Sequence, residues 1–451
     1  MRKIFGTDGI RCLVNQEPLT PETTLKISKT VGYLLKSKKK NNSRVVICKD
    51  TRLSGYLYEP LITAGFISMG MQVILVGPLP TPAVPHLMRT LRANIGVMIT
   101  ASHNTFEYNG LKFFNADGYK INSQLEKQIE DIVLNKGKYS KIIDNEINTG
   151  KAIRLEDASG RYSEYLKNTL NKKIKIKKLK IVLDCGNGAT YDIAPNIFWE
   201  IGHKVISINN KPNGININNN CGAVNVKELS KKVIKEKADI GFAFDGDGDR
   251  LIIVDEKGNE VDGDKIIALF AKHLVKIRNK NSKFPVISTV MSNLGLEKFL
   301  LSNIKIKLKR SSVGDINVIQ EMQKNNSILG GEQSGHIILS QFSKTGDGVL
   351  AALKVTEIIS RLKKSSSSIF NLYEDFPQIK INIPYKKISE SNMKYIKNLN
   401  NKKIKDKNIR LLIRLSGTEP LVRLLVEGKD LKKVQQQAKF LEKDIRLKLG
   451  Q

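Results

Sequence analysis

The chain has 451 residues, which is too many for one hydrophobic core and predicts three or four domains. Its formal net charge of +31 raises a nucleic-acid or anionic-membrane partner, but lysines occur along the whole chain and aromatic residues make up only 6%, which disfavours a stacking nucleic-acid surface. The four cysteines form no CxxC pair and the N-terminal residues lack a signal peptide's apolar core, so we expect no zinc site, no disulfide framework and a cytoplasmic location.

The first 150 residues alternate strand and helix patterns, which predicts βαβ units and a mainly parallel sheet. The predicted elements are strands at 44–48, 72–76 and 95–99, and helices at 23–35, 59–70 and 124–135. Four prolines between 78 and 85 predict an extended loop. Residues 109–114 and the following Asp117-Gly118 predict a hairpin.

The segment Thr100-Ala101-Ser102-His103-Asn104 directly follows the strand at 95–99. Ligands of parallel sheets sit beyond the carboxyl ends of the strands, and a serine held rigidly there suits a covalent nucleophile. Alternatively, Ser102 caps a helix at a polar turn. Lys112 is either a surface lysine or a proton-transfer or anion-binding group that leans towards Ser102. Near the N-terminus, Arg11 follows two glycines and would contact an anion, unless that segment is a plain turn.

Three similar strand-and-turn starts, at 44–50, 179–188 and 285–290, predict three domains of one type. The serines at 365–368 predict a linker. The last segment has its own strands, at 410–414 and 421–427, and a helix at 431–449. We therefore expect domains at 1–150, 151–256, 257–370 and 371–451.

Three aspartates, Asp245, Asp247 and Asp249, alternate with glycines between predicted strands at 239–244 and 251–255. Three like charges this close repel, and a cation with oxygen ligands, Mg²⁺, resolves the repulsion. An EF-hand fits less well, because Arg250 stands where that loop needs glycine. A haloacid-dehalogenase-type phosphatase also fits less well, because it usually carries a hydroxyl residue where Asp249 stands.

Two later loops carry further candidate binding residues. In a glycine-flanked polar loop of the third domain, Glu332 and Ser334 could accept from and donate to sugar hydroxyls, or the loop is a simple connection. In the last domain, hydroxyls and backbone N–H groups around Gly417, between Arg414 and Arg423, suit a phosphate dianion. A turn with surface arginines explains the second loop equally well.

Five stretches together resemble the α-D-phosphohexomutase superfamily, and most closely its glucosamine branch. They occur in the family's order and spacing, and the resemblance covers essentially the whole chain. Gln333 and residues 289–297 favour the glucosamine branch over the glucose and mannose branches. The stretches are Phe5-Gly6-Thr7-Asp8-Gly9-Ile10-Arg11, Thr100-Ala101-Ser102-His103-Asn104, 245–250, Gly331-Glu332-Gln333-Ser334-Gly335-His336 and Arg414-Leu415-Ser416-Gly417-Thr418-Glu419-Pro420.

The resemblance implies an α/β fold of four domains around a central cleft: three related α/β domains with mixed, mainly parallel sheets and a smaller C-terminal α+β domain. It implies a phosphoserine at Ser102 and one Mg²⁺ per subunit, held by that phosphate and the three aspartates. The implied reaction interconverts glucosamine 6-phosphate and glucosamine 1-phosphate through a 1,6-bisphosphate, for UDP-N-acetylglucosamine and cell-wall precursors. A hexosamine or hexose 1,6-bisphosphate would prime the serine.

The resemblance also implies residue roles. Arg11, Arg250 and Lys112 would neutralise charge on the transferring phosphoryl. His103, Lys112 and His336 are candidate proton handlers without a closer assignment. The implied catalytic residues are Ser102, His103, Lys112 and Arg250, and the implied substrate-binding residues are Arg11, Glu332, Ser334, His336, Arg414, Ser416, Gly417, Thr418 and Arg423.

The implied binding partner is a phosphosugar substrate, and we expect binding to neither nucleic acid nor a membrane. A homodimer is possible. The alternative from another class is a basic nucleic-acid-binding protein whose acidic loop is only structural.

Several positions depart from the family pattern. Cys12 and Thr105 replace a usual glycine and a common proline, which changes loop geometry. Val224-Asn225 and Ile316-Asn317 replace usual Thr-Asp and Arg-Tyr pairs, so we expect altered substrate contacts and reduced turnover.

Overall fold

Four sheets follow one another along the chain, with six, five, four and three strands. The computed structural model describes residues 4–6, 8–36, 43–143, 149–273, 284–385, 388–399, 409–415 and 420–450. The first three sheets mix parallel and antiparallel pairs, and the fourth is antiparallel. This arrangement confirms the predicted fold class of three α/β units and a smaller C-terminal unit.

The first sheet has the strand order β1-β5-β4-β2-β3-β6. Its elements are β1 (Ile10–Leu13), α1 (Pro21–Leu35), β2 (Arg44–Lys49), α2 (Gly55–Ser68), β3 (Gln72–Pro78), α3 (Ala83–Leu91), β4 (Ile95–Ile99), β5 (Tyr108–Phe114), α4 (Ser123–Leu134), α5 (Lys136–Ile143) and β6 (Ala152–Arg154). β2 pairs in parallel with β3 and β4, so the ends of these buried strands meet at one edge. Ser102 follows β4 at that edge.

The extended loop predicted over residues 78–85 was wrong at its end, because helix α3 begins at Ala83. Pro85 occupies the first turn of α3, where a backbone N–H has no partner within the helix, so proline is tolerated there. The buried face of α3, which includes Val84 and Leu87, packs on β2 and β4. That burial stabilises a helix that the run of prolines conceals.

The second sheet has the order β11-β10-β9-β7-β8. Its elements are α6 (Ala158–Asn168), β7 (Lys180–Asp184), α7 (Ile193–Glu200), β8 (Lys204–Ile208), α8 (Lys227–Glu236), β9 (Ile240–Phe244), β10 (Leu251–Asp255) and β11 (Glu260–Val261). β9 and β10 are antiparallel, with Phe244 opposite Leu251. The acidic segment 245–250 is therefore the hairpin loop between two fully buried strands.

The third sheet has the order β13-β12-β14-β15. Its elements are α9 (Gly263–His273), β12 (Val286–Thr289), α10 (Leu294–Phe299), β13 (Leu308–Ser311), α11 (Asp315–Lys324), β14 (Leu329–Gly331), β15 (Ile337–Leu339), α12 (Gly348–Leu362) and α13 (Ser366–Phe370). The linker predicted at 365–368 was wrong, since Ser365 caps α13 by accepting from the Ser368 N–H at 3.4 Å.

The fourth sheet has the order β16-β18-β17. Its elements are β16 (Gln378–Pro384), α14 (Glu390–Leu399), β17 (Ile409–Leu415), β18 (Leu421–Gly428) and α15 (Leu431–Lys448). Its core is separate from the large hydrophobic cluster that joins the first three sheets and includes α12. Every helix in the described ranges is too short or too polar to cross a bilayer.

Candidate active site

Three buried carboxylates form the hairpin loop between β9 and β10. Asp245, Asp247 and Asp249 are 0%, 0% and 3% exposed, and one oxygen from each lies within 4.8 Å of the others. Gly246 lets this loop approach the first sheet, because a Cβ there would lie 2.7 Å from the carbonyl oxygen of Ser102. The loop is therefore shaped to meet the segment that follows β4.

Ser102 touches this acidic loop directly. Its hydroxyl donates to Asp245 Oδ2 at 2.8 Å, and the side chain is buried. The backbone of Ser102 has φ of +49°, in the left-handed region, and its N–H donates to Thr100 Oγ1 at 2.8 Å. The structure therefore brings the serine and the acidic loop into contact, as the sequence predicted.

The electrostatics of the acidic loop fit a cation. Burial raises the pKa of Asp245 well above its ordinary value, and the neighbouring Asp249 and Asp247 carboxylates raise it further. Oδ1 of Asp247 is buried and has no hydrogen-bond partner among the described residues, and the buried Oδ1 of Asp249 has His336 Nδ1 at 3.5 Å and Arg250 Nε at 3.9 Å. Such oxygens are the ligands that Mg²⁺ prefers, so the donor set fits a magnesium site.

Lys112 is a buried part of this site rather than a surface lysine. Its Nζ lies 2.8 Å from Asp247 Oδ2, 3.3 Å from Asp249 Oδ2 and 3.4 Å from Asp8 Oδ2. Burial lowers the pKa of Lys112, but these three carboxylates outweigh burial and hold the pKa well above its ordinary value. Lys112 therefore carries a fixed positive charge beside the acidic loop.

Two arginines and a histidine surround the same centre. Arg11 donates to Asp8 Oδ2 at 2.9 Å and to Asn104 Oδ1 at 3.3 Å. The Nε of Arg250 lies 3.9 Å from oxygens of two aspartates of the loop. Burial lowers the pKa of His103 to about 3, and the nearby charges of Arg250 and Arg11 lower it further. His103 is therefore neutral at physiological pH.

His336 reaches the loop from the third sheet. It forms an antiparallel bridge with Arg250, and its Nε2 accepts from the Gly346 N–H at 3.0 Å. Because Nε2 is an acceptor, the ring proton of the neutral form sits on Nδ1, which faces Asp249 Oδ1 at 3.5 Å. His336 thus brings a side chain of the third sheet's unit to a candidate metal ligand.

The remaining predicted binding residues lie farther along the chain. Glu332 is buried, and its Oε1 accepts from the Gly314 N–H at 3.1 Å, whereas Ser334 is exposed.

Arg414 and Arg423 face each other across β17 and β18 of the fourth sheet. Burial and the neighbouring Arg423 both lower the pKa of Arg414. The predicted Ser416, Gly417 and Thr418 lie outside the described residues.

Sequence reasoning missed Arg52, the residue that holds the segment 100–105 around Ser102, called the serine loop below. This fully buried side chain pairs with Asp50 at 2.8 Å and donates to the carbonyl oxygens of Ser102 at 2.9 Å and Asn104 at 2.8 Å. It also donates to the carbonyl oxygen of Thr105. The signal in the sequence was Asp50-Thr51-Arg52 directly after β2, at the same strand edge as Ser102.

Two further missed residues link separate sheets at this site. Asn218 donates through Nδ2 to the carbonyl oxygens of Ser102 at 2.8 Å and Asn104 at 2.9 Å. Thr81 donates through its hydroxyl to Asp247 Oδ2 at 2.5 Å and through its N–H to the Asp247 carbonyl at 2.8 Å. The serine loop and the acidic loop are therefore each held by the other's domain.

Two departures from the family pattern have visible contacts. The carbonyl of Thr105 accepts from Arg52, so the serine loop is held there by a side chain. Asn317 donates to the Val313 carbonyl at 2.9 Å at the start of α11.

Comparison with known proteins gives matches along the whole chain. Four family models described as Phosphoglucomutase/phosphomannomutase match this chain. They are alpha/beta/alpha domain I over residues 2–140, domain II over 160–258, domain III over 262–376 and the C-terminal domain over 379–443. The Phosphoglucosamine mutase of Parvibaculum lavamentivorans is 45% identical over 438 residues, which cover 96% of each chain. That of Lawsonia intracellularis is 45% identical and covers 98% of this chain and 97% of its own.

Solved structures share the fold. A phosphoglucomutase/phosphomannomutase family protein from Burkholderia thailandensis is 23% identical, with a TM-score of 0.82 over 98% of this chain and 97% of its own. The Aspergillus fumigatus N-acetylphosphoglucosamine mutase, in complex with GlcNAc-6P and magnesium, is 16% identical, with a TM-score of 0.68 over 99% of this chain and 96% of its own.

Proposed function

The chain belongs to the phosphoglucomutase/phosphomannomutase family, and we propose that it is a phosphotransferase isomerase that interconverts glucosamine 6-phosphate and glucosamine 1-phosphate. The observation that carries the proposal is the 2.8 Å contact between the Ser102 hydroxyl and Asp245. The relatives named phosphoglucosamine mutase support glucosamine as the sugar. The product would lead towards UDP-N-acetylglucosamine and peptidoglycan precursors in the cytoplasm.

In the proposed reaction, the oxygen of Ser102 carries a phosphoryl group. The phosphoryl passes to the O1 hydroxyl of glucosamine 6-phosphate, which loses its proton, and the serine oxygen is released. The resulting 1,6-bisphosphate turns around and returns its 6-phosphoryl group to Ser102, which leaves glucosamine 1-phosphate. A hexosamine or hexose 1,6-bisphosphate would prime the unmodified serine by the same transfer.

The three aspartates would hold one Mg²⁺ per subunit, together with the phosphate on Ser102. When bound, the ion supplies positive charge beside the phosphoryl group. Lys112 adds a second positive charge, because its carboxylate neighbours keep it protonated. Arg250 and Arg11 approach from two further directions and would bind the equatorial phosphoryl oxygens.

The neutral state of His103 shapes the proton handling that we propose. With a pKa of about 3, its imidazole exchanges hydrogen bonds with the substrate without bringing another positive charge. His336 directs its Nδ1 towards Asp249 and would keep that carboxylate oriented. Lys112 stays protonated and is a candidate proton donor, whereas His103 and His336 are the candidates to accept the proton of the sugar hydroxyl.

The sugar and its distal phosphate would be held by separate groups. Glu332 and Ser334 would bind the sugar hydroxyls in both orientations of the bisphosphate. Arg414 and Arg423 pair across β17 and β18 and would bind the phosphate that is not reacting, together with Ser416, Gly417 and Thr418, which lie between them in the sequence. Whether two chains pair as a homodimer stays a prediction.

A coupled assay tests this function by comparing glucosamine 6-phosphate, glucose 6-phosphate and mannose 6-phosphate at equal concentrations, with Mg²⁺ and a hexose 1,6-bisphosphate present. We expect the highest kcat/KM with glucosamine 6-phosphate. A preference for glucose 6-phosphate would contradict the glucosamine assignment and leave the mutase chemistry standing. Turnover that persists undiminished in Ser102→Ala would contradict the mutase chemistry itself.

A further inference from the structure

A cavity of about 440 Å³, away from the acidic loop, lies where α3 meets the segment 340–344 that follows β15. The turn after β5, at Ala116–Gly118, and Tyr165 of α6 complete its lining. The cavity therefore draws its walls from the units of the first three sheets. Its volume falls in the range of sites for small organic ligands.

The lining carries an excess of positive charge. Arg89, Arg92 and Lys344 line the cavity, and Asp117 is the one carboxylate among its described lining residues. Neither the Arg89 nor the Arg92 guanidinium makes a hydrogen bond or ion pair with any described residue. Lys344 donates to the Tyr119 hydroxyl at 3.1 Å, which does not neutralise it. Uncompensated cations in a concave site favour an anionic ligand.

An aromatic pair with an unused nitrogen forms another wall. The rings of His86 and Tyr165 stack with centroids 4.1 Å apart, and Arg89 lies 5.9 Å from the Tyr165 centroid. The Nδ1 of His86 is buried and has no hydrogen-bond partner among the described residues. Burial and the charge of Arg89 lower the pKa of His86 to about 4, so the imidazole is neutral and does not add to the positive charge of the lining.

Residues that adjoin two walls of the cavity contact the acidic loop. Thr81 binds Asp247 and lies two residues before the start of α3. Gly346 lies two residues after Lys344, donates to His336, and approaches so closely that a Cβ there would lie 2.7 Å from the Asp249 carbonyl oxygen. A ligand that joined α3 to the segment 340–344 would therefore connect two supports of the same loop.

We propose that this cavity is a second anion site, which binds a small phosphate-bearing metabolite and ties α3 to the segment 340–344. The phosphate contacts Arg89, Arg92 and Lys344, beside the stacked rings of His86 and Tyr165. This site is separate from the serine and the acidic loop and goes beyond the proposed mutase activity. Through Thr81 and Gly346, its occupancy reaches the aspartates.

Hydrogen–deuterium exchange of the full chain locates such binding without reference to turnover. Inorganic pyrophosphate and ADP are the two probes, each added with excess Mg²⁺. We expect slower exchange in residues 83–92 and 340–346 with both probes. Tighter binding of ADP assigns an organic diphosphate, and equal binding assigns the inorganic group.

The double variant Arg89→Ala/Arg92→Ala should weaken this protection by about tenfold or more in probe concentration, since two charge-assisted contacts are lost. Lys344→Ala should weaken it from the opposite wall. The matched control is Arg161→Ala, whose guanidinium pairs with Asp157 on the exposed face of α6. Equal exchange elsewhere in the chain shows that the variants are folded.

Two results would overturn the site: protection confined to residues near 102 and 245–250, or protection at 83–92 that the double variant leaves unchanged. Because exchange reports position, these results are independent of whether the chain turns over glucosamine 6-phosphate.

Discussion

The Ser102 hydroxyl donates a 2.8 Å hydrogen bond to Asp245 Oδ2, although 143 positions separate the two residues. The contact joins the end of β4 in the first sheet to the hairpin between β9 and β10 in the second. Burial and the acidic neighbours raise the pKa of Asp245, so a cation beside this contact would favour the ionised carboxylate.

The first prediction concerns Ser102→Ala. We expect intact-mass spectrometry of the purified wild-type chain to find a fraction with one added phosphate, and this fraction to be missing from the variant. Removal of a covalent nucleophile should lower kcat by about 10⁴-fold or more. The control Ser140→Ala removes an exposed helical hydroxyl and should keep both the phosphate and the turnover. A phosphate retained in Ser102→Ala would place the modification elsewhere.

The second prediction concerns the metal. Because repulsion among three buried carboxylates is relieved by a cation, Mg²⁺ at about 100 times its dissociation constant should stabilise the fold by about 2.7 kcal/mol. Asp247→Asn should remove most of this gain in thermal unfolding and weaken Mg²⁺ binding in calorimetry. Asp131→Asn, an exposed change on α4, should behave as wild type. An unchanged melting temperature with Mg²⁺ in the wild-type chain would argue against the site.

The third prediction concerns Arg52. Arg52→Met leaves Asp50 buried without its charged partner and removes the guanidinium donor from four carbonyl groups, of which those of Ser102 and Asn104 keep Asn218. The free energy of unfolding should therefore fall by about 3–5 kcal/mol. Arg52→Lys keeps the charge but not the planar fork, and should recover only part of this loss. Urea unfolding measures both.

Arg161→Met is the matched control for Arg52, because its guanidinium is half-exposed and pairs only at the surface. It should change the free energy of unfolding by less than about 0.5 kcal/mol. A loss in Arg52→Met no larger than in this control would show that Arg52 does not hold the serine loop.

The fourth prediction concerns acid stability through His203. This side chain is 3% exposed, its Nδ1 accepts from the Leu179 N–H, and burial lowers its pKa to about 4. The unfolded chain takes up a proton near pH 6.5 that the folded chain refuses, so stability falls as the pH drops from about 6.5 towards 4. Between pH 7 and pH 5 this group should remove about 1–2 kcal/mol. His203→Gln should flatten the profile by that amount, and an unchanged slope would exclude the assignment.

The fifth prediction concerns Arg414. If it binds the distal phosphate in ground state and transition state alike, Arg414→Ala should raise KM by about 10- to 100-fold with little change in kcat. Arg446→Ala is the control, since that arginine pairs with Glu442 on α15 of the same unit. Steady-state kinetics in both directions measures the effect, and a loss confined to kcat would instead place Arg414 at the reacting group.

The residues of the site that could be predicted from the sequence were those that lie in short contiguous motifs. Asp245, Asp247 and Asp249 have a spacing that leaves few explanations, and the buried strand before Ser102 gives its position at a sheet edge. Asn218 could not be found this way, because it acts through backbone carbonyl groups and no local pattern encodes which carbonyl groups a distant side chain will meet. Arg52 was overlooked although Asp50-Thr51-Arg52 marks its position at a strand end, because the same segment also reads as a simple turn.

The predictable parts of the fold were the periodic helices and apolar strands. Pro85 and Ser365 misled local reasoning for different reasons: proline is tolerated in a first helical turn, and serine is a preferred helix cap. The strand β16 was missed because its burial alternates weakly and is decided by pairing with β18.

The left-handed backbone at Ser102 also limits which nucleophile this position accepts. Threonine offers the same hydroxyl group, but its β-branch is strongly disfavoured at φ of +49°. Replacing Ser102 by threonine should therefore distort the backbone at this position even though the hydroxyl group is kept. The conformation of the loop thus favours the unbranched alcohol, serine, as the nucleophile.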